Sequence, residues 1–199
     1  MNEIKVFNKW SVDGIVVNDQ GLKAYINLQP KIVPRTGGKN VKTRFHKSKN
    51  FIIERLMNKL LVPGHKSKKH FKTSGHCTGK GSTAYNLMEK TLEIIEHRIK
   101  QNPIAVVVKA IENAAPREEI TMIQYGGANY PKAVEMAPQR RVDFALRMLV
   151  QASYQKSFNT RKDFTEVFAN EIIGAYNLSN QTQAIAKKNE LERQADSSR

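Results

Sequence analysis

The hydrophobic period of this chain changes at Pro116 and again at Pro138, with Gly126-Gly127 between the two changes. Before Pro116, Leu87, Ile94, Ile95 and Ile99 recur at the spacing of a helix with one buried face. Residues 119–125 and 130–136 instead alternate, which is the period of a strand, and the paired glycines between them suit a tight hairpin turn. Pro131 has no amide to give a ladder, so its strand must be an edge or carry a bulge. After Pro138 the helical stripe returns through Val142, Ala145, Leu146, Leu149 and Ala152. The pattern predicts a mainly α protein, a six-helix bundle with a β-hairpin (118–136) inserted between the third and fourth helices.

The remaining elements follow from their punctuation. Asn50 is placed to cap a first helix that carries Ile52, Ile53, Leu56 and Leu60 and ends at Pro63-Gly64; Ser82 is placed to cap a second. Asn102-Pro103 restarts a third, pairing a capping side chain with a residue that has no amide to lose in the first turn. A fifth follows Asn159-Thr160 with Phe164, Val167, Phe168 and Ile172 on its apolar face, and a mostly polar sixth spans 181–195. Near the start, residues 15–17 and 24–26 are β-forming and flank the turn-formers Asn18, Asp19, Gln20 and Gly21. Residues 1–30 are therefore expected as a small N-terminal β element, and 31–199 as one helical domain.

Charge is placed as unevenly as period. The formal net charge is +15, and residues 31–80 hold fourteen of the 33 Lys and Arg against one acid, Glu54. Solubility needs no such clustering, whereas a strip that displaces counterions from phosphates does. The strip forms two arms around the first helix. One, 35–49, has Phe45 as its one aromatic; the other, 64–81, is similar in character. Neither can bury a core of its own, so each is expected to order against a polyanion. No apolar run approaches the roughly 20 residues that span a bilayer, and no signal-peptide core follows Met1. The single cysteine, Cys77, rules out an intramolecular disulfide and suits a reducing compartment. A cytoplasmic, nucleic-acid-bound protein with no membrane partner is expected.

Catalytic and cofactor chemistry finds little footing. Residues 75–82 resemble a phosphate loop, but three residues instead of four separate Gly75 from Gly79, and Gly81 stands where a hydroxyl residue must bind metal. His65, His70, His76 and Cys77 are ligand types, yet they lack paired spacing and lie among lysines that oppose a dication; donation to phosphate or base is the better reading, with no metal. His76 beside Cys77 is no evidence of a positioned base. Glu118 and Glu119 are adjacent on a strand and so point to opposite faces. No enzyme and no cofactor are expected. A DNA regulator would carry its cations on one recognition helix rather than in arms, and an RNA-modifying enzyme would need an acid–base constellation that is missing.

Several segments carry a resemblance. Residues 112–119 (Glu112 to Glu119 through Pro116-Arg117), Tyr125-Gly126-Gly127, 131–134, 138–143 with Arg140-Arg141, and 184–193 resemble, in order, the small-subunit ribosomal protein seven family. The likeness runs over about residues 34–199, and the N-terminal segment with Tyr25-Ile26 is similar to the extension of archaeal and eukaryotic members. It implies a helical bundle with a long hairpin bound to the 3′ major domain of small-subunit rRNA. It also implies a part in nucleating head assembly, neighbouring ribosomal proteins of the head, and a hairpin near the exit-site tRNA and the mRNA exit channel.

Carried onto this chain, the rRNA-binding set is Arg35, Lys39, Lys42, Arg44, His46, Lys47 and Lys49 in the first arm. In the second arm it is Lys66, Lys68, Lys69, Lys72 and Lys80. Arg117, Arg140 and Arg141 at the hairpin, with Lys187 and Lys188 in the last helix, complete it. The tRNA- and mRNA-facing hairpin comprises Tyr125, Gly126, Gly127, Ala128, Asn129, Tyr130 and Lys132. Two departures stand out. Met122 and Gln124 occupy the first hairpin strand where bacterial members carry cations, and the stretch 66–80 is longer than usual.

Overall fold

A computed structural model describes residues 4–39, 41–62, 64–66, 69–70 and 75–199. In chain order its elements begin with α1 (Gln20–Lys23), a 3-10 turn (His46–Lys49), α2 (Ile52–Leu60) and the two-residue strands β1 (His65–Lys66) and β2 (Lys69–His70). Then come α3 (Gly81–Ile99), α4 (Pro103–Ala114), β3 (Glu118–Tyr125), β4 (Ala128–Glu135), α5 (Pro138–Ser157), α6 (Phe164–Tyr176) and α7 (Gln183–Asp196). The six longer helices and the hairpin agree with the periods read from the sequence; α1 is a further single turn.

The centre of the bundle is explained by composition. α4 buries Ile104, Val106, Val107, Val108, Ala110, Ile111 and Ala114, so it is apolar on nearly every side and must be surrounded. Its start is the expected one, with Asn102 Oδ1 accepting from the Ile104 amide at 3.0 Å and Pro103 in the first turn. α6 lies against α3, α4, α5 and α7 and buries Phe168, Ala169, Ile172 and Ala175. At Gly174 it has no room to spare: a Cβ there would overlap Thr182 Cγ2 in the turn before α7.

The hairpin closes with Tyr125 opposite Ala128. Gly126 and Gly127 have φ of +57° and +84°, values that glycine adopts at no steric cost and that match the twist of the strands. Pro131 lies opposite Met122 in a two-stranded ribbon, where both strands are edges. The base of the ribbon packs on α7, while residues 121–132 are exposed.

The N-terminal segment differs from expectation. Residues 18–26 do not form a hairpin: Asp19 caps α1, its Oδ1 accepting from the Gly21 amide at 2.9 Å. Leu22 and Ile26 are one helical turn apart and both are buried in the main core, of which Phe51 and Ile111 are also members. The β content of this segment, among the described residues, is two isolated bridges, Val6 with Trp10 and Asn27 with Phe51. Trp10 is buried and donates to Glu96 at 2.9 Å, and the Phe7 ring lies 4.7 Å from that of Tyr85. Asn50 does not cap α2 either. The Ile52 amide donates to Asn27 O at 3.0 Å, so a neighbouring backbone does what a cap would do, and Phe51 is the first flanking residue. α3 begins at Gly81, which puts Ser82 inside its first turn.

Candidate nucleic-acid interface

The first arm is rooted by the one acid of the basic strip. Glu54 is buried on α2; its Oε1 accepts from the Thr36 amide at 2.8 Å and from the Thr36 hydroxyl, and Lys31 lies 3.9 Å from its other oxygen. Beyond this root Arg35, Lys39, Lys42, Arg44 and Lys49 are exposed. The Arg35 guanidinium lies over the start of α3, where a Cβ on Gly81 would meet its Cζ at 3.2 Å. His46 Nδ1 is 3.2 Å from Thr43 O. The arm then turns back onto α5 in its 3-10 turn, through Lys47 to Asp143 and through Ser48 Oγ, which donates to Gln139 Oε1 at 2.6 Å.

That docking opens a basic groove of about 440 Å³ lined by Phe45, Lys47, Lys59, Ala137, Gln139, Arg140, Asp143, Phe144 and Arg147. It joins two predicted cations, Lys47 and Arg140, to two that sequence reasoning missed, Lys59 and Arg147. The missed signal was helical spacing: Arg140, Asp143 and Arg147 are three and four apart and share a face of α5. Arg147 also sits over the Phe144 ring at 5.5 Å. Among the described residues Asp143 is the one carboxylate of the lining. Burial would raise its pKa, but hydrogen bonding by Lys47 and the charges of Arg55 and Lys47 hold it below the ordinary carboxylate range. Arg55 is buried, 3.2 Å from Asp143 Oδ1 and donating to Tyr25 O at 2.7 Å. Burial lowers the pKa of Lys59; Asp143 opposes this, and Lys47, Arg147 and Arg55 push it down further.

The adjacent arginines separate as a helix requires. Arg140 faces outward and pairs with Glu119 at 2.7 Å. Arg141 is buried, pairs with Asp19 at 2.7 Å and donates through Nε to Pro116 O at 2.9 Å. Asp143, on the next turn of the same helix, pairs with neither of them and is bound to Lys47 and Arg55. Glu118 takes a different partner from Glu119, as opposite strand faces demand: Arg199 Nη2 lies 2.7 Å from both its oxygens.

The other predicted residues are spread more widely. Lys80 and Arg117 are exposed, and the Arg117 amide donates to Glu192 at 3.0 Å. Lys187 pairs with Glu190 at 2.8 Å and Lys188 donates to Asn113 O at 3.0 Å. Lys66 and Lys69 oppose each other across the β1–β2 pair; Lys68 and Lys72 lie outside the described residues. On the hairpin, Ile123 pairs with Tyr130 and Tyr125 with Ala128 on one face, and Lys132 opposes Thr121 further down the same face. Asn129 opposes Gln124 on the other face. Tyr125 is 81% exposed and Tyr130 56%, so the distal hairpin offers aromatic surface rather than charge.

Cys77 donates to Leu60 O at 3.3 Å. Burial pushes its thiol pKa up, away from the thiolate a nucleophile needs. Among the described residues no three or more His, Cys, Asp or Glu converge as a metal site, and no helix is long and apolar enough to cross a membrane.

Residues 22–199 match the family described as ribosomal protein S7p/S5e. The chain is 51% identical over 197 residues to small ribosomal subunit protein uS7 of Nanoarchaeum equitans, covering 99% of this chain and all of that protein. Its identity to the uS7 proteins of Methanosphaera stadtmanae and Methanothrix thermoacetophila is 44% and 41%, over 97% and 98% of this chain and 97% and 100% of theirs.

Proposed function

The chain belongs to the ribosomal protein S7p/S5e family, and from that premise we propose that it is a non-catalytic structural constituent of the small ribosomal subunit, acting in the cytoplasm, whose arm 35–49 and adjoining groove bind the 3′ major domain of small-subunit rRNA. In this reading it helps nucleate the subunit head beside other ribosomal proteins there. One observation carries the rRNA part: among the described residues Lys47, Lys59, Arg140 and Arg147 line one groove against a single carboxylate, next to an arm whose cations Lys39, Lys42, Arg44 and Lys49 are exposed to solvent. Cations held this way neutralise phosphates, and each phosphate contact adds about 0.9 to the slope of log affinity against log salt. The distal hairpin, through Tyr125 and Tyr130, faces the exit-site tRNA and mRNA and contacts them by surface rather than by charge.

Transcripts of the 3′ major domain and of another rRNA domain of equal length test this by titration with the full chain over a series of salt concentrations. The expected result is preference for the former, with Lys42→Ala lowering the slope by about 1. Equal affinity for both transcripts would overturn the assignment.

A further inference from the structure

We propose that the groove between the 3-10 turn and α5 is a subsite for one unpaired nucleotide of the RNA, with its base on Phe45 and its phosphate at Lys59 and Arg147. This rests on the rRNA-binding reading and adds which chemical part of the RNA each side chain takes.

Three observations converge. Phe45 is 69% exposed at the rim of the groove, and its φ of +55° lies in the left-handed region, which a bulky side chain rarely occupies. A large apolar ring is thus held by a costly backbone at a place where most of its surface stays in water in the free protein. Gln139 is 8% exposed and lines the same groove; its Oε1 is bonded to Ser48, while its Nε2 has no acceptor among the described residues. A buried amide donor without an acceptor is destabilising unless a ligand supplies one, and a base edge or phosphate oxygen does so. Lys59 and Arg147 have no ion pair within 4 Å among the described residues, although Asp143 is close enough to act on Lys59 electrostatically. An incoming phosphate would offset the mutual repulsion of the cations.

The groove's volume of about 440 Å³ falls in the range of small-ligand pockets, about 300–1,000 Å³. Base-paired A-form RNA hides its base faces, so an aromatic side chain stacks on a splayed, unpaired residue.

The test uses the full chain and the 3′ major domain transcript. A photoreactive phenylalanine analogue in place of Phe45 identifies the nucleotide by crosslinking, and that nucleotide is then made abasic. We expect the abasic RNA to bind the native protein about tenfold more weakly with no change in salt slope, because stacking is not a charge effect. Phe45→Ala should lose a similar factor on intact RNA and nothing more on abasic RNA, and Phe45→Tyr should bind normally. Lys59→Gln should lower the slope by about 0.7–0.9. Multiplying losses from Phe45→Ala and the abasic site would overturn the subsite, as would Phe45→Leu binding as well as the native chain. If the native protein fails to prefer this transcript at all, the rRNA reading itself is lost; normal preference with multiplying losses removes the subsite alone.

Discussion

The guanidinium of Arg141 closes on the carboxylate of Asp19 at 2.7 Å, and its Nε reaches the carbonyl of Pro116 at 2.9 Å. One side chain in the first turn of α5 thereby ties the cap of α1 to the turn that leads into the hairpin. Its neighbour Arg140, one residue earlier, stands in solvent with Glu119. The two positions look alike in sequence and perform different work.

Arg141→Ala should cost about 2–4 kcal/mol of folding stability. It leaves Asp19 and a carbonyl without their partner in a site where the arginine side chain is 11% exposed. Arg140→Ala should cost under about 1 kcal/mol, since that arginine is 62% exposed, yet it should lower the salt slope of rRNA binding by about 1. Urea unfolding and salt-dependent titration of both variants separate the two roles. Equal stability losses would refute the distinction.

Stability should also fall in acid. Burial alone would raise the pKa of Asp19 and of Asp143, but their cationic partners, Arg141 for the first and Lys47 with Arg55 for the second, outweigh it and hold both below the ordinary carboxylate range. The unfolded chain then takes up protons first as pH drops, so the stabilisation is complete above the unfolded carboxylate pKa of about 3.9 and is lost as pH falls through the lower folded values. Urea midpoints should be level at neutral pH and drop below about pH 4. A midpoint that rises on acidification would contradict these pairings.

The bundle and hairpin were legible because local signals and tertiary packing agree there: the period, Asn102-Pro103 and Gly126-Gly127 all point one way. Residues 15–26 were misread as a hairpin because β-forming residues flank turn-formers, while the deciding fact, that Leu22 and Ile26 are both buried in the main core, depends on packing across the chain. Arg141 was partly legible, since it lies four and eight residues before Ala145 and Leu149 on the buried stripe of α5. The groove was not. Lys59 and Arg147 are 88 residues apart, and only the docking of α2 on α5 brings them together.

Gly174→Ala should destabilise the protein by about 1–3 kcal/mol, the usual cost of overpacking, although alanine favours a helix intrinsically. The added methyl would meet Thr182 Cγ2, a branched and buried group with little freedom to yield. Thr182→Ser removes that methyl and retains the hydroxyl, which donates to Ser179 O at 2.7 Å. The double variant should therefore recover most of the loss in thermal unfolding. Additive losses in the double variant would show that the clash is elsewhere.

Asp143→Asn should move stability and RNA affinity in opposite directions. The carboxylate neutralises Lys47 and the buried Arg55 in the free protein, so its loss leaves a buried guanidinium with a weaker, neutral acceptor and should cost about 1–3 kcal/mol in urea unfolding. The same carboxylate competes with phosphate inside the groove. Without it Lys47 is released and the local charge becomes more positive by one, so rRNA should bind more tightly at low salt, with a slope steeper by up to about 1. Sequestering that charge in the free protein is then the physical reason for an acid at the centre of a cationic groove. Tighter binding together with lower stability bears this out, whereas weaker binding at unchanged slope would mean that Asp143 shapes the groove and does not compete for it.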